Sequence, residues 1–336
     1  MTHELKKIVR SHILAKEKGI KTVLATVVAL EGSSYRRPGV RMLIREDGKM
    51  TGAVSGGCVE KEVFRQSERV FRENRPKIMT YDGRYRLGCE GILYILIEPF
   101  QPDETFIHIF FGLLVNRQHF KIASFFSKKE GVDDGYGSSL LYKNGKLGFR
   151  PDAALNGDLK IFEQEMKPCF KLLIIGAEHD AVQLCSYAAL TGWEVTIIAT
   201  PSEEKTLKDF PGAEELLNID PEITPLPKID GQTAVMLMTH SFVKDLNHLL
   251  ALKDSKPAYL GLLGPSKRRE RLLNDFIERC PTVSDTFFDY IHGPAGLDIG
   301  AVTAQEISIA IISEILATIH DKEPIMLRDK EGKIHS

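Results

Sequence analysis

Cysteine pairs are missing from this chain. Its five cysteines, Cys58, Cys89, Cys169, Cys185 and Cys280, are odd in number and widely spaced, and no two have CxxC spacing. That argues against a disulfide framework and against a structural zinc site, and it fits reduced thiols in the cytosol. Long apolar runs are missing too: nothing approaches the ~18 consecutive apolar residues of a membrane span. Residues 1–7 hold no apolar stretch followed by a cleavage site, so we expect no signal peptide and a cytoplasmic location. Excess charge of either sign is absent. A net charge of −2 gives no whole-chain argument for nucleic acid or an anionic membrane as partner. No internal repeat and no low-complexity tract is found.

The 336 residues suggest two or three domains, and 43% hydrophobic with 27% charged residues is ordinary for a soluble globular protein. Residues 3–18 have helical amphipathicity and stop at Gly19. Residues 21–30 are β-branched and read as a buried strand. Residues 40–45 and 49–54 flank Asp47-Gly48 as a hairpin. A helix is expected over about 59–74, then strands at 77–81 and 92–97, a helix over 103–116, and short strands at 120–126, 139–142 and 146–149. Residues 133–137 read as an exposed loop. This half mixes helices and strands without alternation, which makes it α+β. The pattern weakens over 151–168, expected as a linker. Beyond it, strands at 170–175, 194–199, 233–239 and 258–263 alternate with helices at about 179–190, 242–253, 266–279 and 304–319. Such alternation predicts a Rossmann-like domain with a mainly parallel sheet over 169–325, followed by a tail over 326–336. The whole is α/β, with an α+β domain over 1–150.

Chemistry concentrates in a few stretches. Residues 53–60, Ala-Val-Ser-Gly-Gly-Cys-Val-Glu, form a glycine-rich turn between strand and helix with Cys58 at the helix start. Gly56 and Gly57 let successive N–H groups face one concavity, and a helix start favours both an anion and a thiolate. A tight turn around a small buried cysteine is the plainer alternative. Cys89 lies in a second glycine-flanked stretch, between Gly88 and Gly91. The turn Gly176-Ala177-Glu178-His179 follows a strand and opens a helix, as in dinucleotide-binding domains. Yet Glu178 stands where the second glycine would approach pyrophosphate, and Ala199 stands where a ribose-binding acid is expected. Both argue against NAD(P). His240 follows a strand and suits proton transfer, anion binding or a simple hydrogen bond to a neighbour. Ser266 reads as an N-cap. Lys267, Arg268 and Arg269 crowd the first turn of a helix, where they oppose its dipole, and so hint at phosphate binding or else form a solvated basic turn. Residues 292–300 form a glycine-rich loop with His292 and Asp298.

The run of residues 32–42 (GSSYRRPGVRM), with 55–60 (SGGCVE) and 87–91 (LGCEG), resembles the N-terminal domain of the XdhC/CoxI family. Residues 238–240, 259–264 and 293–301 resemble that family's C-terminal Rossmann-like domain. The likeness covers nearly the whole chain. It implies an accessory protein that binds the molybdenum cofactor, supports its sulfuration by a cysteine desulfurase, and delivers it to a xanthine dehydrogenase-type apo-enzyme of purine catabolism. Some family members are labelled as part of that dehydrogenase. An anionic dithiolene with a phosphate suits Arg36, Arg37, Arg41, Ser55, Gly56, Gly57, Gly88 and Gly91, with Cys58 and Cys89 as molybdenum ligand or persulfide relay. Gly176, His179, His240, Lys267, Arg268, Arg269 and Asp298 make a second candidate site. The chain departs from the family at Glu178, at Ala199, and at Glu90, where a glycine usually follows the cysteine. Two rival readings remain: an NAD(P)-dependent oxidoreductase, and a non-catalytic docking subunit. The apolar final helix leads us to expect a homo-oligomer.

Overall fold

The amphipathic N-terminal stretch forms α1 (Thr2–Lys16), which buries Leu5, Ile8 and Val9 and ends before Gly19, whose φ of +66° a side chain would resist. The computed structural model describes residues 1–32, 37–55, 57–83, 91–151 and 157–331. It has two compact units, Met1–Pro168 and Cys169–Ser336.

In the first unit, the β-branched run forms β1 (Thr22–Gly32). The hairpin follows as β2 (Arg41–Arg45) and β3 (Met50–Gly52), and then comes α2 (Cys58–Glu73). Next are β4 (Lys77–Asp82), β5 (Gly91–Pro99) and α3 (Glu104–Val115). Further strands are β6 (Phe120–Phe126), β7 (Gly131–Val132), β8 (Gly137–Tyr142), β9 (Gly145–Gly148) and β10 (Lys160–Met166). They make a six-stranded sheet, β3-β2-β1-β5-β4-β7, and a four-stranded sheet, β10-β6-β8-β9. Alternation sorts the first sheet's side chains. Met42, Ile44, Ile95 and Ile97 pack with Val59, Val63 and Val70 of α2, while Leu24 and Leu43 join α1, α3 and the second sheet.

Residues 160–166 are not linker. They pair antiparallel with β6 from Lys160↔Phe126 to Met166↔Phe120. Exposed Ile161 on the outward face and Gln164 on the inward one hide its period-two pattern. Residues 133–137 also differ from an exposed loop, because Tyr136 is buried beside β4 and β5 residues.

The second unit follows the expected alternation. Its elements are β11 (Lys171–Ile175), α4 (His179–Leu190), β12 (Glu194–Ala199), β13 (Ala213–Asn218), β14 (Thr233–Leu237), α5 (Phe242–Leu252), β15 (Tyr259–Leu262), α6 (Ser266–Arg279), β16 (Ile291–His292) and α7 (Ala304–Ile319). The strands form one parallel sheet in the order β13-β12-β11-β14-β15-β16. Leu172 and Ile174 pack under α4 and α7 on one face, and Leu173 and Ile175 under α5 and α6 on the other. Two short edge strands, β13 and β16, were not expected.

Candidate functional site

The first sheet gathers the glycine-rich stretches at one end. Gly32, the last residue of β1, is the register partner of Gly91, the first of β5. Arg41, the first residue of β2, pairs with Thr26, and Gly52, the last of β3, pairs with Met42. Asp82, the last of β4, pairs with Ile92. Gly32, Arg41, Gly52, Asp82 and Gly91 therefore all lie at the same end of the sheet. Arg36, Gly56, Gly88 and Cys89 lie outside the described residues, as does the side chain of Cys58.

Gly57 is the N-cap of α2 at φ +128°, a conformation that favours glycine. Cys58 is the first helical residue, and the N-cap itself, a glycine, has no side chain to accept from the helix's first N–H groups. The N–H groups before it behave differently from expectation. Ser55 N donates to Glu60 Oε1 at 2.6 Å, Gly57 N to Glu60 Oε2 at 2.8 Å, and the Ser55 hydroxyl to Glu60 Oε2 at 2.7 Å. Burial opposes ionisation of Glu60, but these hydrogen bonds outweigh it and hold its carboxyl below the usual range. The anion cradle expected at Ser55 and Gly57 is filled by the chain's own carboxylate.

Arg41 likewise departs from the expected role. It is 5% exposed, and its Nη1 donates to the Gly39 carbonyl at 2.9 Å and to Gln164 Oε1 of β10. Burial lowers its pKa to about 10. It holds together the two sheets of this unit rather than facing an open site. Arg37 is exposed at the end of the 33–36 segment.

In the second unit, Gly176, His179, His240 and the start of α6 meet at the carboxyl edge of the parallel sheet, where ligands of such folds bind. Gly176 has φ +139°, and a Cβ there would lie 2.4 Å from the Met238 carbonyl oxygen, so β11 and β14 require glycine at this point. His240 sits at φ +56° with Nε2 3.5 Å from Asp180 Oδ2. Pro265, not Ser266, is the N-cap of α6, because Ser266 is already helical. The basic turn divides its labour. Arg268 donates to Asp245 Oδ2 at 2.6 Å and lies over the Phe242 ring, Arg269 packs by its aliphatic stem against Gly293, and Lys267 is exposed. Arg268 is therefore a structural partner of a buried acid rather than a free phosphate ligand. Asp298 is exposed in the loop before α7.

Two polar centres escaped the sequence reading. Asp245, 2% exposed, accepts from Thr239 N, the Thr239 hydroxyl and Arg268. Glu314 of α7 accepts from the Tyr259 hydroxyl at 2.5 Å and from Gly296 N at 2.7 Å, with His292 Nδ1 at 3.3 Å. It fastens the 293–300 loop to α7. The only sequence signal for either is an acid inside an otherwise apolar helix face.

Residues 15–82 match the model of the XdhC and CoxI family, and residues 172–315 match that of the XdhC Rossmann domain. The chain belongs to the XdhC and CoxI family. Two curated relatives match along nearly their full lengths. A Bacillus subtilis protein named as a probable xanthine dehydrogenase subunit is 27% identical, over 89% of this chain and 93% of its own. The molybdenum cofactor insertion chaperone PaoD of Escherichia coli is 26% identical, over 96% of this chain and 92% of its own. A crystal structure of a xanthine dehydrogenase from Bacillus halodurans has the same fold, with a TM-score of 0.73 and 25% identity over 90% of this chain and 93% of that one. Both XdhC halves thus fall within the two units. No helix among the described residues is long and apolar enough to cross a membrane, and no group of three or more His, Cys, Asp or Glu among them could hold a metal ion.

Proposed function

We propose that this XdhC-family protein binds the molybdenum cofactor in its N-terminal unit, supports its sulfuration and hands it to a xanthine dehydrogenase-type apo-enzyme. The observation that carries this reading is that Gly32, Arg41, Gly52, Asp82 and Gly91, the strand ends flanking the glycine-rich and cysteine-bearing stretches of the sequence, all lie at one end of the six-stranded sheet. The full-length likeness to a protein named as a molybdenum cofactor insertion chaperone supports it.

The fit to such a cofactor is uneven among the described residues. The first helical N–H groups of α2, which no N-cap side chain takes, would be donors to a phosphate, and Arg37 is exposed. Ser55, Gly57 and Arg41 are committed elsewhere, and the Glu60 carboxylate disfavours a second anion against Ser55 and Gly57. When bound, the cofactor supplies a molybdenum centre that takes soft sulfur ligands. This chain would supply the thiols of Cys58 and Cys89 as ligand or sulfur relay. A cysteine desulfurase is the proposed sulfur donor, and the cytoplasm the proposed location.

Anaerobic binding of molybdenum cofactor to the wild type, Cys58→Ser and Cys89→Ser tests the proposal, read as molybdenum content and pterin fluorescence after desalting. Binding that falls in either variant supports a carrier. Absence of binding by the wild type sinks it. The likeness to a protein named as part of a dehydrogenase favours a second reading, a non-catalytic docking partner. Capture of the dehydrogenase that is indifferent to both substitutions would favour that one.

A further inference from the structure

His292, the last residue of β16, is held on two sides. One ring face stacks on buried Tyr259, with centroids 4.3 Å apart and planes 20° apart. Its Nδ1 lies 3.3 Å from Glu314 Oε1. Burial opposes ionisation of Glu314, but the donors of His292, Tyr259 and Gly296 prevail and hold its carboxyl below the ordinary range. A carboxylate has no proton to give, so the proton in the His292–Glu314 contact belongs to the imidazole. In the neutral ring that puts hydrogen on Nδ1 and leaves a lone pair on Nε2.

Nε2 accepts no hydrogen bond from the described residues, and it is not a buried atom. With one face on Tyr259 and Nδ1 on Glu314, the 25% of the side chain that stays accessible is the Nε2 edge and the outer face. His292 and Glu314 line a cavity of about 370 Å³ at the C-terminal end of α7. Leu297, Ala317 and Pro324 give it an apolar side, and all three have accessible surface. Asp321, Lys322 and Glu323 also line it and are exposed. The carboxylates of Asp321 and Glu323 have no partner among the described residues. With Glu314 they set three carboxylates against the one ammonium of Lys322, so the wall is net negative. Among the described residues these groups are not gathered as metal ligands are. An oriented acceptor, unpaired carboxylates and an apolar side together suit an organic cation with N–H donors.

We propose that this cavity binds a small organic ammonium ion, which donates one N–H to His292 Nε2 and lays its apolar body against Leu297, Ala317 and Pro324, with Asp321 and Glu323 opposing its charge. The site lies in the second unit and does not depend on the cofactor reading of the first.

Benzylammonium, benzyl alcohol and benzyltrimethylammonium separate the two interactions. The first has charge and donor, the second a donor without charge, the third charge without a donor. In calorimetry on the full chain at pH 8, benzylammonium should bind about tenfold more tightly than benzyltrimethylammonium, the ratio worth one hydrogen bond. It should bind several-fold more tightly than benzyl alcohol, as exposed carboxylates allow. Asp321→Asn with Glu323→Gln, both at exposed positions, should shrink only the preference over benzyl alcohol. His292→Phe keeps a ring on Tyr259 and should erase only the preference over benzyltrimethylammonium. A preference that survives His292→Phe would be one of size and would overturn the proposal. Proton–nitrogen spectra of the histidine-labelled wild type need no variant: the His292 proton should sit on Nδ1, and the Nε2 resonance should shift with benzylammonium. A proton on Nε2 in the free protein, equal binding of the three probes, binding of none, or a charge preference indifferent to Asp321 and Glu323 would each overturn it.

Discussion

Gly57 N donates to Glu60 Oε2 at 2.8 Å, so the turn that opens α2 is closed by a carboxylate three residues downstream. The same carboxylate takes Ser55 N and the Ser55 hydroxyl, and its pKa lies below its ordinary value of 4.5. Glu60→Gln should therefore destabilise the protein by about 1 kcal/mol at pH 7, the usual worth of a helix-start cap. The sign against pH is fixed by the depressed pKa. The stabilisation is full above 4.5 and disappears as pH falls through the lower folded value. Urea unfolding of the pair at pH 7 and pH 3 checks this, and a difference that survives at pH 3 would show that Glu60 acts through packing instead.

A second carboxylate behaves oppositely. Glu98 of β5 is fully buried with one oxygen on Ser138 N and the other unpaired, and burial raises its pKa to about 7 despite that bond and the charges of Arg150 and Arg41. Between pH 4.5 and 7 the unfolded chain is ionised at this position while the native one is not, so Glu98 lowers stability as pH rises through that window. The shift corresponds to an effect on the order of 3 kcal/mol. His12 and His248, both pushed to about 4 by burial, act with the reverse sign from pH 4 to 6.5. The clean measurement is the difference between wild type and Glu98→Gln, followed by denaturant midpoint from pH 4 to 8. The variant should gain relative to wild type with rising pH, and a flat difference would place the Glu98 pKa near its ordinary value.

Where side chains repeat with a helix or strand period, the fold was legible. Residues 179–190, 266–279 and 304–319 are readable as helices from pattern alone, and the parallel strands between them follow from β-branched runs. Strands β10 and β13 were not legible, because Ile161 faces out and Gln164 in along β10, and Glu214-Glu215 precede Leu216-Leu217 along β13, so apolar and polar residues do not alternate. The fate of Arg41 was hidden for another reason: its partner Gln164 is 123 residues away, and no local pattern encodes such a pairing. Glu60 was locally readable. Its spacing after Gly57 is that of a capping acid, yet glycine and cysteine drew the reading toward an external anion.

Asp245 and Arg268 join α5 to the start of α6 through a 2.6 Å bond, with the Asp245 side chain only 3% exposed. Asp245 also holds the end of β14 through Thr239. Removing one partner leaves a charge in a dry place, so Arg268→Ala and Asp245→Ala should each cost about 3 kcal/mol. The double variant should cost far less than their sum, since neither charge then remains unpaired. Strict additivity in urea unfolding would mean that the pair does not interact.

The parallel sheet has the outline of a dinucleotide site but not its chemistry. Glu178 is the exposed N-cap of α4, in the place where pyrophosphate would meet the helix start. Ala199 ends β12 without a carboxylate for ribose. The nearest downstream acid, Glu203, accepts from Thr200 N at 3.1 Å and pairs with Lys244 at 3.1 Å, so it is engaged by the chain itself. Titration calorimetry with NAD⁺ or NADP⁺ should give no binding heat for the wild type. Glu178→Gly removes the bulk and the like charge but supplies no ribose acceptor, and it should remain without measurable affinity. Glu178→Gly combined with Ala199→Asp restores both elements, and weak NAD⁺ binding appearing only in that double variant would identify these two side chains as the reason the fold rejects the nucleotide. Tight binding by the wild type would instead put the rival oxidoreductase reading first.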